Sequence, residues 1–129
     1  DLAILSFRSK KAYKVLSIAE QTPAFGEKIL TMSNPHKERN VVSAGNVISF
    51  SPKPFGDKAG ALQHPVIKHT ANISIGSSGS ALLNTEMEIV GINLGGTENM
   101  FRKFVYGMAM PTEFILNFIT DWNASRGKI

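Results

Sequence analysis

The sequence predicts an all-β fold, an antiparallel barrel with a single helix at its C-terminal end. Two observations predict this class: short apolar segments recur at regular spacing between turn signals, and the last apolar segment alone has helical spacing. The chain has 129 residues, of which 43% are hydrophobic. That length and composition suit one globular core, with no low-complexity or disordered segment.

Eight segments are predicted as strands, because each is apolar and is bounded by glycine, proline, asparagine or basic turn residues. In chain order they span residues 1–7, 12–19, 27–33, 40–50, 63–73, 80–83, 88–94 and 104–110. Basic residues 8–11 separate the first two strands, and residues 21–26 connect the second to the third. The loop 51–60, with two prolines and two glycines, separates the fourth from the fifth. Residues 84–87 are predicted as the turn of a hairpin between the sixth and seventh.

The C-terminal segment has the periodicity of a helix. Pro111 and Glu113 flank Thr112, which is a suitable N-terminal cap. The apolar stripe that follows has helical spacing and consists of Phe114, Ile115, Phe118, Ile119 and Trp122. We expect a terminal helix whose stripe packs on the barrel.

The composition excludes several classes of site and partner. The chain has no cysteine, so it has no disulfide, thiolate metal site or cysteine nucleophile. No apolar run approaches the ~18 residues that cross a bilayer, so no membrane span is predicted. The net charge is +4, but the basic residues are dispersed and no basic run with interleaved aromatics occurs. A nucleic-acid partner is therefore not expected.

The three histidines are interpreted as surface or strand-end residues. His36, His64 and His69 have no carboxylate or histidine neighbours at the spacing of a metal site. No metal site is predicted, and no organic cofactor is implied.

A serine lies in a glycine-bounded turn, Gly76-Ser77-Ser78-Gly79-Ser80, between apolar segments. A hydroxyl on a tight bend beside free backbone N–H groups is well placed to act as a nucleophile, and glycine permits such a bend. Glycine and serine also form flexible linkers, but the flanking strands argue against one. An α/β-hydrolase elbow needs glycine at the position of Ser80 and a helix afterwards, whereas a hairpin follows here.

Four segments, in order, resemble the HtrA (Deg) group of trypsin-like serine proteases, which have a chymotrypsin-like fold of two barrels. They are Asp1-Leu2-Ala3-Ile4-Leu5, residues 25–35 with 42–49, residues 69–80, and residues 106–111 with the terminal helix. The resemblance implies that residues 1–20 are the last strands of an incomplete first barrel. Residues 21–129 then form the second barrel and the C-terminal helix.

The resemblance also implies roles for individual residues. Ser78 corresponds to the nucleophile, the N–H groups of Gly76 and Ser78 to the oxyanion hole, and Asp1 to the carboxylate that orients the catalytic histidine. In this family the histidine comes before the aspartate, and nothing comes before Asp1 here. We therefore expect a fragment without its base, whose partners are a missing N-terminal barrel segment and polypeptide substrates. An extracellular or periplasmic location is implied as well.

The expected substrate-binding residues are Asn72, Ile73, Leu94, Gly95 and Gly96. Asn72 and Ile73 stand where trypsin has the carboxylate at its pocket base, so cleavage after lysine or arginine is not predicted. Ile73, with Met108, instead predicts a small or medium apolar side chain. Residues 94–96 would pair with an extended substrate.

Three functions are compatible with these features. The first is a serine endopeptidase that works through an acyl-enzyme, present here as a fragment without its histidine and inactive alone. The second is a catalytically silent trypsin-like domain used to bind proteins. The third is a basic interaction domain for acidic polymers. A histidine encoded before Asp1 would favour the first.

Overall fold

The computed structural model describes residues 2–54 and 63–126, and within them six strands form a closed barrel. The strands are β1 (Lys28–Ser33), β2 (Val41–Pro54), β3 (Gln63–His69), β4 (Ala81–Leu83), β5 (Ile89–Glu98) and β6 (Phe104–Pro111). Their order around the barrel is β1-β2-β3-β6-β5-β4, and all neighbouring pairs are antiparallel. A 3₁₀ turn follows β1 at Pro35–Lys37, and helix α1 spans Thr112–Arg126. The predicted class, a barrel with a C-terminal helix, is confirmed.

The barrel interior is filled by the inward-facing half of each strand. In β1, Ile29, Thr31 and Ser33 are buried while the residues between them are more exposed, as a strand with one buried face requires. The apolar core is the cluster Ala19, Ile29, Val47, Ile67, Ala71, Leu82, Val90 and Ala109. Residues 70–80 link β3 to β4 and carry the serine turn on this packed scaffold.

No strand forms between Leu2 and Ser17, contrary to the two strands predicted over 1–7 and 12–19. Only an isolated parallel bridge joins Ile18 to Ile89. Large apolar side chains of this segment are exposed, including Leu5 at 91% and Val15 at 89%. A strand needs a neighbour for its backbone N–H and C=O groups, and among the described strands only Ile89 of β5 bonds to this stretch, through the carbonyl of Ser17 and the N–H of Ala19. Asp1 lies outside the described residues.

Three strand boundaries differ from prediction by more than one residue. β2 continues to Pro54, into the segment predicted as a loop, and residues 55–62 of that loop lie outside the described part. β3 ends at His69 rather than at residue 73, because the chain leaves the ladder after its last pairs with β2 and β6. β5 runs beyond Leu94 to Glu98, because its ladder with β6 continues to the pair of Glu98 with Phe104.

Helix α1 packs against β5 and β6, as predicted. It begins at Thr112 itself, which is buried, so Thr112 is the first helical residue and not the cap. Ile115 is buried, and the other members of the predicted stripe are half-buried. No helix within residues 2–54 and 63–126 is long and apolar enough to cross a membrane.

Candidate active site

The serine turn consists of two consecutive tight turns. The N–H of Ser77 donates to the carbonyl of Ser74 at 2.9 Å, and the N–H of Ser80 donates to the carbonyl of Ser77 at 3.1 Å. Gly76 and Gly79 have φ angles of +98° and +84°, in the left-handed region that favours glycine. Ser78 lies between them and is exposed. The predicted presentation of this hydroxyl at a bend is therefore found in the structure.

Strand β5 holds the second turn in place. The carbonyl of Asn93 accepts the N–H of Gly79 at 2.8 Å, and the N–H of Asn93 donates to the carbonyl of Ser80 at 2.9 Å. The hydroxyl of Ser78 donates to the carbonyl of Leu94 at 3.0 Å. Because three successive turn residues bond to two successive residues of β5, the position of Ser78 is fixed relative to this strand.

The first turn is held from the other side by the loop after β1. The carbonyl of Ile75 accepts the N–H of His36 at 2.9 Å. A Cβ on Gly76 would lie 2.5 Å from the carbonyl oxygen of Asn34, so this close approach requires glycine. The carbonyl and N–H of a trans peptide unit point in opposite directions. The N–H of Gly76 therefore points away from His36.

The structure leaves two backbone donors free beside Ser78. Within the described residues, neither the N–H of Gly76 nor the N–H of Ser78 donates a hydrogen bond. Two such donors on adjacent sides of a hydroxyl can bind the oxygen of a substrate carbonyl as it gains negative charge. The arrangement has the form of an oxyanion hole.

Two clefts meet at Ser78. One, of about 420 Å³, is lined by Ile73, Ser74, Ile75, Ser78, Gly95, Gly96 and Glu98. The other, of about 450 Å³, is lined by Leu2, Ala3, Leu5, Ser78, Gly79, Ile92, Asn93 and Leu94. The second cleft brings the segment that follows Asp1 next to the serine.

Most of the predicted substrate-binding residues line one of the two clefts at Ser78. Ile73, Gly95 and Gly96 lie together with Ser78 in the first cleft, and Leu94 lies in the second. Asn72 is exposed and lines neither cleft, and Met108 is buried and also lines neither. Glu98 was missed by the sequence analysis because it lies beyond the predicted end of its strand.

No described histidine side chain contacts the Ser78 hydroxyl, whose partner is the Leu94 carbonyl. His36 is exposed, and the side chain of His64 lies outside the described part. His69 is at a strand end, as predicted, but it is fully buried, and its Nε2 lies 2.9 Å from Oδ1 of Asn93. Burial lowers the pKa of His69 below 6.5, against the opposing influence of Asn93 and the Ala71 backbone.

Comparisons with known proteins identify a family and a fold for this chain. The family described as the trypsin-like peptidase domain matches residues 1–92. The chain is 30% identical over 133 residues to the serine endoprotease DegS of Haemophilus influenzae, which covers 98% of this chain and 38% of that protein. A serine-to-alanine variant of the HtrA-type protease AlgW with a tripeptide has a TM-score of 0.73 and 19% identity, over 88% of this chain and 37% of that chain. The active form of the Rv3671c protease from M. tuberculosis has a TM-score of 0.68 and 13% identity, over 79% of this chain and 45% of that chain.

The two structural similarities bear on the fold, since both identities are low. They support the barrel and the terminal helix. The chain spans 38% of the length of its DegS relative and less than half of either solved chain.

Proposed function

Because the chain belongs to the trypsin-like peptidase domain family and is HtrA-like, we propose that the protein containing it is a serine endopeptidase that forms an acyl-enzyme. One observation carries this proposal: the exposed Ser78 hydroxyl lies beside two backbone N–H groups that have no partner within the described residues. A nucleophile next to preorganised donors is what acyl transfer needs.

The proposed reaction begins when Oγ of Ser78 attacks the carbonyl carbon of the scissile peptide. A histidine takes the hydroxyl proton as the C–O bond forms, and the carbonyl oxygen becomes an oxyanion held by the N–H groups of Gly76 and Ser78. The same histidine then gives its proton to the leaving amine as the C–N bond breaks. Water cleaves the acyl-enzyme by the same steps.

The histidine is proposed to come from a segment encoded upstream, with Asp1 as the carboxylate that orients it. Leu2, Ala3 and Leu5 line a cleft together with Ser78, so the chain that follows Asp1 runs beside the nucleophile. In the described residues the Ser78 hydroxyl bonds to a backbone carbonyl, which is far too weak a base to remove its proton. Residues 1–129 alone are therefore expected to have little or no activity.

The exposure of apolar side chains near the start of the chain supports the proposed domain division. Residues 1–20 are assigned to a first barrel, and residues 21–129 to the second barrel with its helix. Leu5, Phe7 and Val15 are 72–91% exposed, which is expected of strand residues whose sheet partners lie in another segment. The partner proposed for this surface is the upstream part of the first barrel.

The proposed substrates are extended polypeptides. β4 pairs with β5 only as far as Ile92, so the edge of β5 from Leu94 onward has no strand on that side within the described residues. A substrate strand can add to such an edge through backbone hydrogen bonds. The adjoining cleft, with Ile73 and Gly96 in its walls, suits a small or medium apolar side chain next to the scissile bond. We propose that such a protein works outside the cytoplasm or in the cell envelope, which its resemblance to HtrA-like proteases supports.

Substitution of the nucleophile in the complete encoded protein tests this proposal. The protein should hydrolyse an unfolded polypeptide, and Ser78→Ala should reduce turnover by at least about 10⁴-fold without changing its folding. Ser17→Ala is the matched control, because it removes an exposed serine hydroxyl that lines neither cleft at Ser78. A complete protein that binds unfolded polypeptides but never cleaves them would instead identify the alternative, a silent binding domain. The Ser78–Leu94 hydrogen bond is the observation that favours that alternative.

A further inference from the structure

His69 is a buried titratable residue that the proposed reaction does not use. It ends β3, and its side chain is 0% exposed. Gly107 on β6 lies opposite it, and a Cβ there would collide with the ring carbon Cε1. The ring therefore rests directly on the backbone of β6, in a space that exists only because residue 107 is glycine.

The hydrogen bond between His69 and Asn93 has only one direction. Oδ1 of Asn93 can only accept, so Nε2 of His69 must carry the proton and donate it. In the neutral ring Nδ1 is then unprotonated. The Ala71 backbone lies near enough to influence the ring, but no bond of good geometry reaches Nδ1 within the described residues. The buried ring is therefore a neutral donor directed at Asn93.

The side-chain amide of Asn93 connects His69 to the serine turn. Its Nδ2 donates to Oγ1 of Thr31 and to Oγ of Ser80, each at 2.9 Å. Thr31 donates its own proton to the carbonyl of Ala81 at 2.8 Å, and Ser80 donates its own to the carbonyl of Ser77 at 2.6 Å. Each hydroxyl proton is thus already used, and each hydroxyl can only accept from the amide.

The result is a chain of donors with one direction, from the imidazole to the amide, from the amide to the Ser80 hydroxyl, and from that hydroxyl to the Ser77 carbonyl. The backbone of the same Asn93 already bonds to Gly79 and Ser80. Asn93 therefore holds the turn with its backbone and its side chain, and His69 supplies the donor to its Oδ1.

We propose that His69 is a positioning residue for the nucleophile turn. Its Nε2–H fixes the orientation of the Asn93 amide, and the amide fixes the turn that presents Ser78. The inference deepens the proposed function and rests on it. His69 is not the missing base, because its ring bonds to Asn93 and not to Ser78. It is not assigned to a metal, because the described residues hold no group of three or more histidine or acidic side chains that could bind one.

Three variants of the complete encoded protein test the proposal. His69→Gln keeps an N–H donor in the position of the ring, whereas His69→Leu keeps the volume and loses the donor. Ile67→Ala is the matched control, because it creates a defect at another buried position of β3 that makes no side-chain hydrogen bond. Two quantities are measured: the rate at which a fluorophosphonate labels Ser78, and hydrogen–deuterium exchange of the peptide that contains residues 77–80.

His69→Leu should slow labelling by roughly tenfold, because it removes the neutral hydrogen bond to Asn93 that orders the turn. It should also speed amide exchange in residues 77–80, and His69→Gln should restore most of both properties. Ile67→Ala should lower the melting temperature and leave the labelling rate unchanged. If His69→Leu does not fold, Ser80→Ala removes the next link and should speed exchange in the same peptide while leaving the ring in place.

The proposal is overturned if His69→Leu labels and exchanges as the wild type does, or if the Gln and Leu variants are equally impaired. Its failure can be told apart from failure of the proposed function. If the wild type is never labelled, the protease function fails. The exchange comparison of the Leu and Gln variants then still decides whether His69 orders the turn.

Discussion

The hydroxyls of Ser33 and Ser77 lie 3.0 Å apart inside the barrel and connect positions that are 44 residues apart in the chain. Ser33 is the last residue of β1, and Ser77 immediately precedes the proposed nucleophile. Both side chains are buried, and Oγ of Ser77 also accepts the N–H of Ser74 at 3.2 Å. The residue before the nucleophile is thus held by neutral hydrogen bonds and not by an ion pair.

Removal of either hydroxyl should destabilise the fold. Ser33→Ala and Ser77→Ala should each lower the free energy of unfolding by about 1–2 kcal/mol, because each leaves a buried polar partner unsatisfied. The double variant should cost less than the sum of the two, since both remove the same bond. Urea unfolding of the four proteins measures this coupling. Strictly additive losses would mean that the two hydroxyls do not act as a pair.

Two glycines of the serine turn should respond differently to alanine. Gly76 and Gly79 both have positive φ, but a Cβ on Gly76 meets the Asn34 carbonyl whereas a Cβ on Gly79 has no neighbour within 4 Å. Gly79→Ala should therefore show backbone strain alone, of about 1–2 kcal/mol. Gly76→Ala should in addition displace an oxyanion donor and lower turnover of the complete protein by about 10²–10³-fold. Equal turnover in the two variants would contradict the assigned role of the Gly76 N–H.

Stability should fall on acidification because of His69. Burial lowers its pKa in the folded protein below 6.5, so below that pH the unfolded chain binds a proton that the folded chain does not. The stabilisation that depends on the neutral His69 ring is fully present above pH 6.5. It declines as the pH falls toward the folded pKa and is constant below it.

His69→Gln separates this effect from other titrations, because glutamine does not ionise. Asn93, Gly107 and the Ala71 backbone lie against the ring, and none of these three groups titrates. Between about pH 7.5 and about pH 5, the free energy of unfolding measured with urea should fall more for the wild type than for the variant. The same loss in both proteins would exclude His69 as the source.

The cleavage preference should follow the cleft beside Ser78. Ile73 and Ile75 supply apolar walls, and the exposed carboxylate of Glu98 lies in the same cleft. A peptide library digested by the complete protein should show cleavage mainly after small or medium apolar residues. Acidic side chains should be disfavoured, because Glu98 repels them. Cleavage chiefly after lysine, arginine or glutamate would contradict this assignment.

Glu98→Gln tests the electrostatic part of that preference alone. It removes the charge with little change in volume, so cleavage after glutamate should increase relative to cleavage after leucine. Glu86→Gln is a suitable control, since Glu86 lies in the turn between β4 and β5 and lines neither cleft at Ser78.

Sequence patterns predicted the elements whose signals are local. The hairpin turn at 84–87 and the helical stripe from Phe114 were correctly predicted, because turn residues and apolar spacing act within a few positions. The same kind of local signal wrongly predicted strands over residues 1–7 and 12–19. Apolar spacing indicates which face a strand would bury, but it does not indicate whether a partner strand is present to complete its hydrogen bonds.

The part of the candidate site that lies within one sequence motif could be predicted. The bend at Gly76, Ser78 and Gly79 was predicted from the glycine–serine motif, and the roles proposed for Gly76 and Ser78 come from the family resemblance. The burial of His69 and its bond to Asn93 were not, because they depend on pairing between strands that are distant in sequence. The pocket position of Glu98 was missed for a similar reason, since a ladder with β6 carries β5 beyond its apolar run.

The central claim is that Ser78 is a working nucleophile whose base is encoded upstream of Asp1. Fluorophosphonate labelling tests it most directly, with residues 1–129 compared against the complete encoded protein and Ser78→Ala as the control for the site of labelling. We expect the complete protein to be labelled at Ser78 and residues 1–129 alone to remain unlabelled. Rapid labelling of residues 1–129 at Ser78, or no labelling of the complete protein, would contradict it.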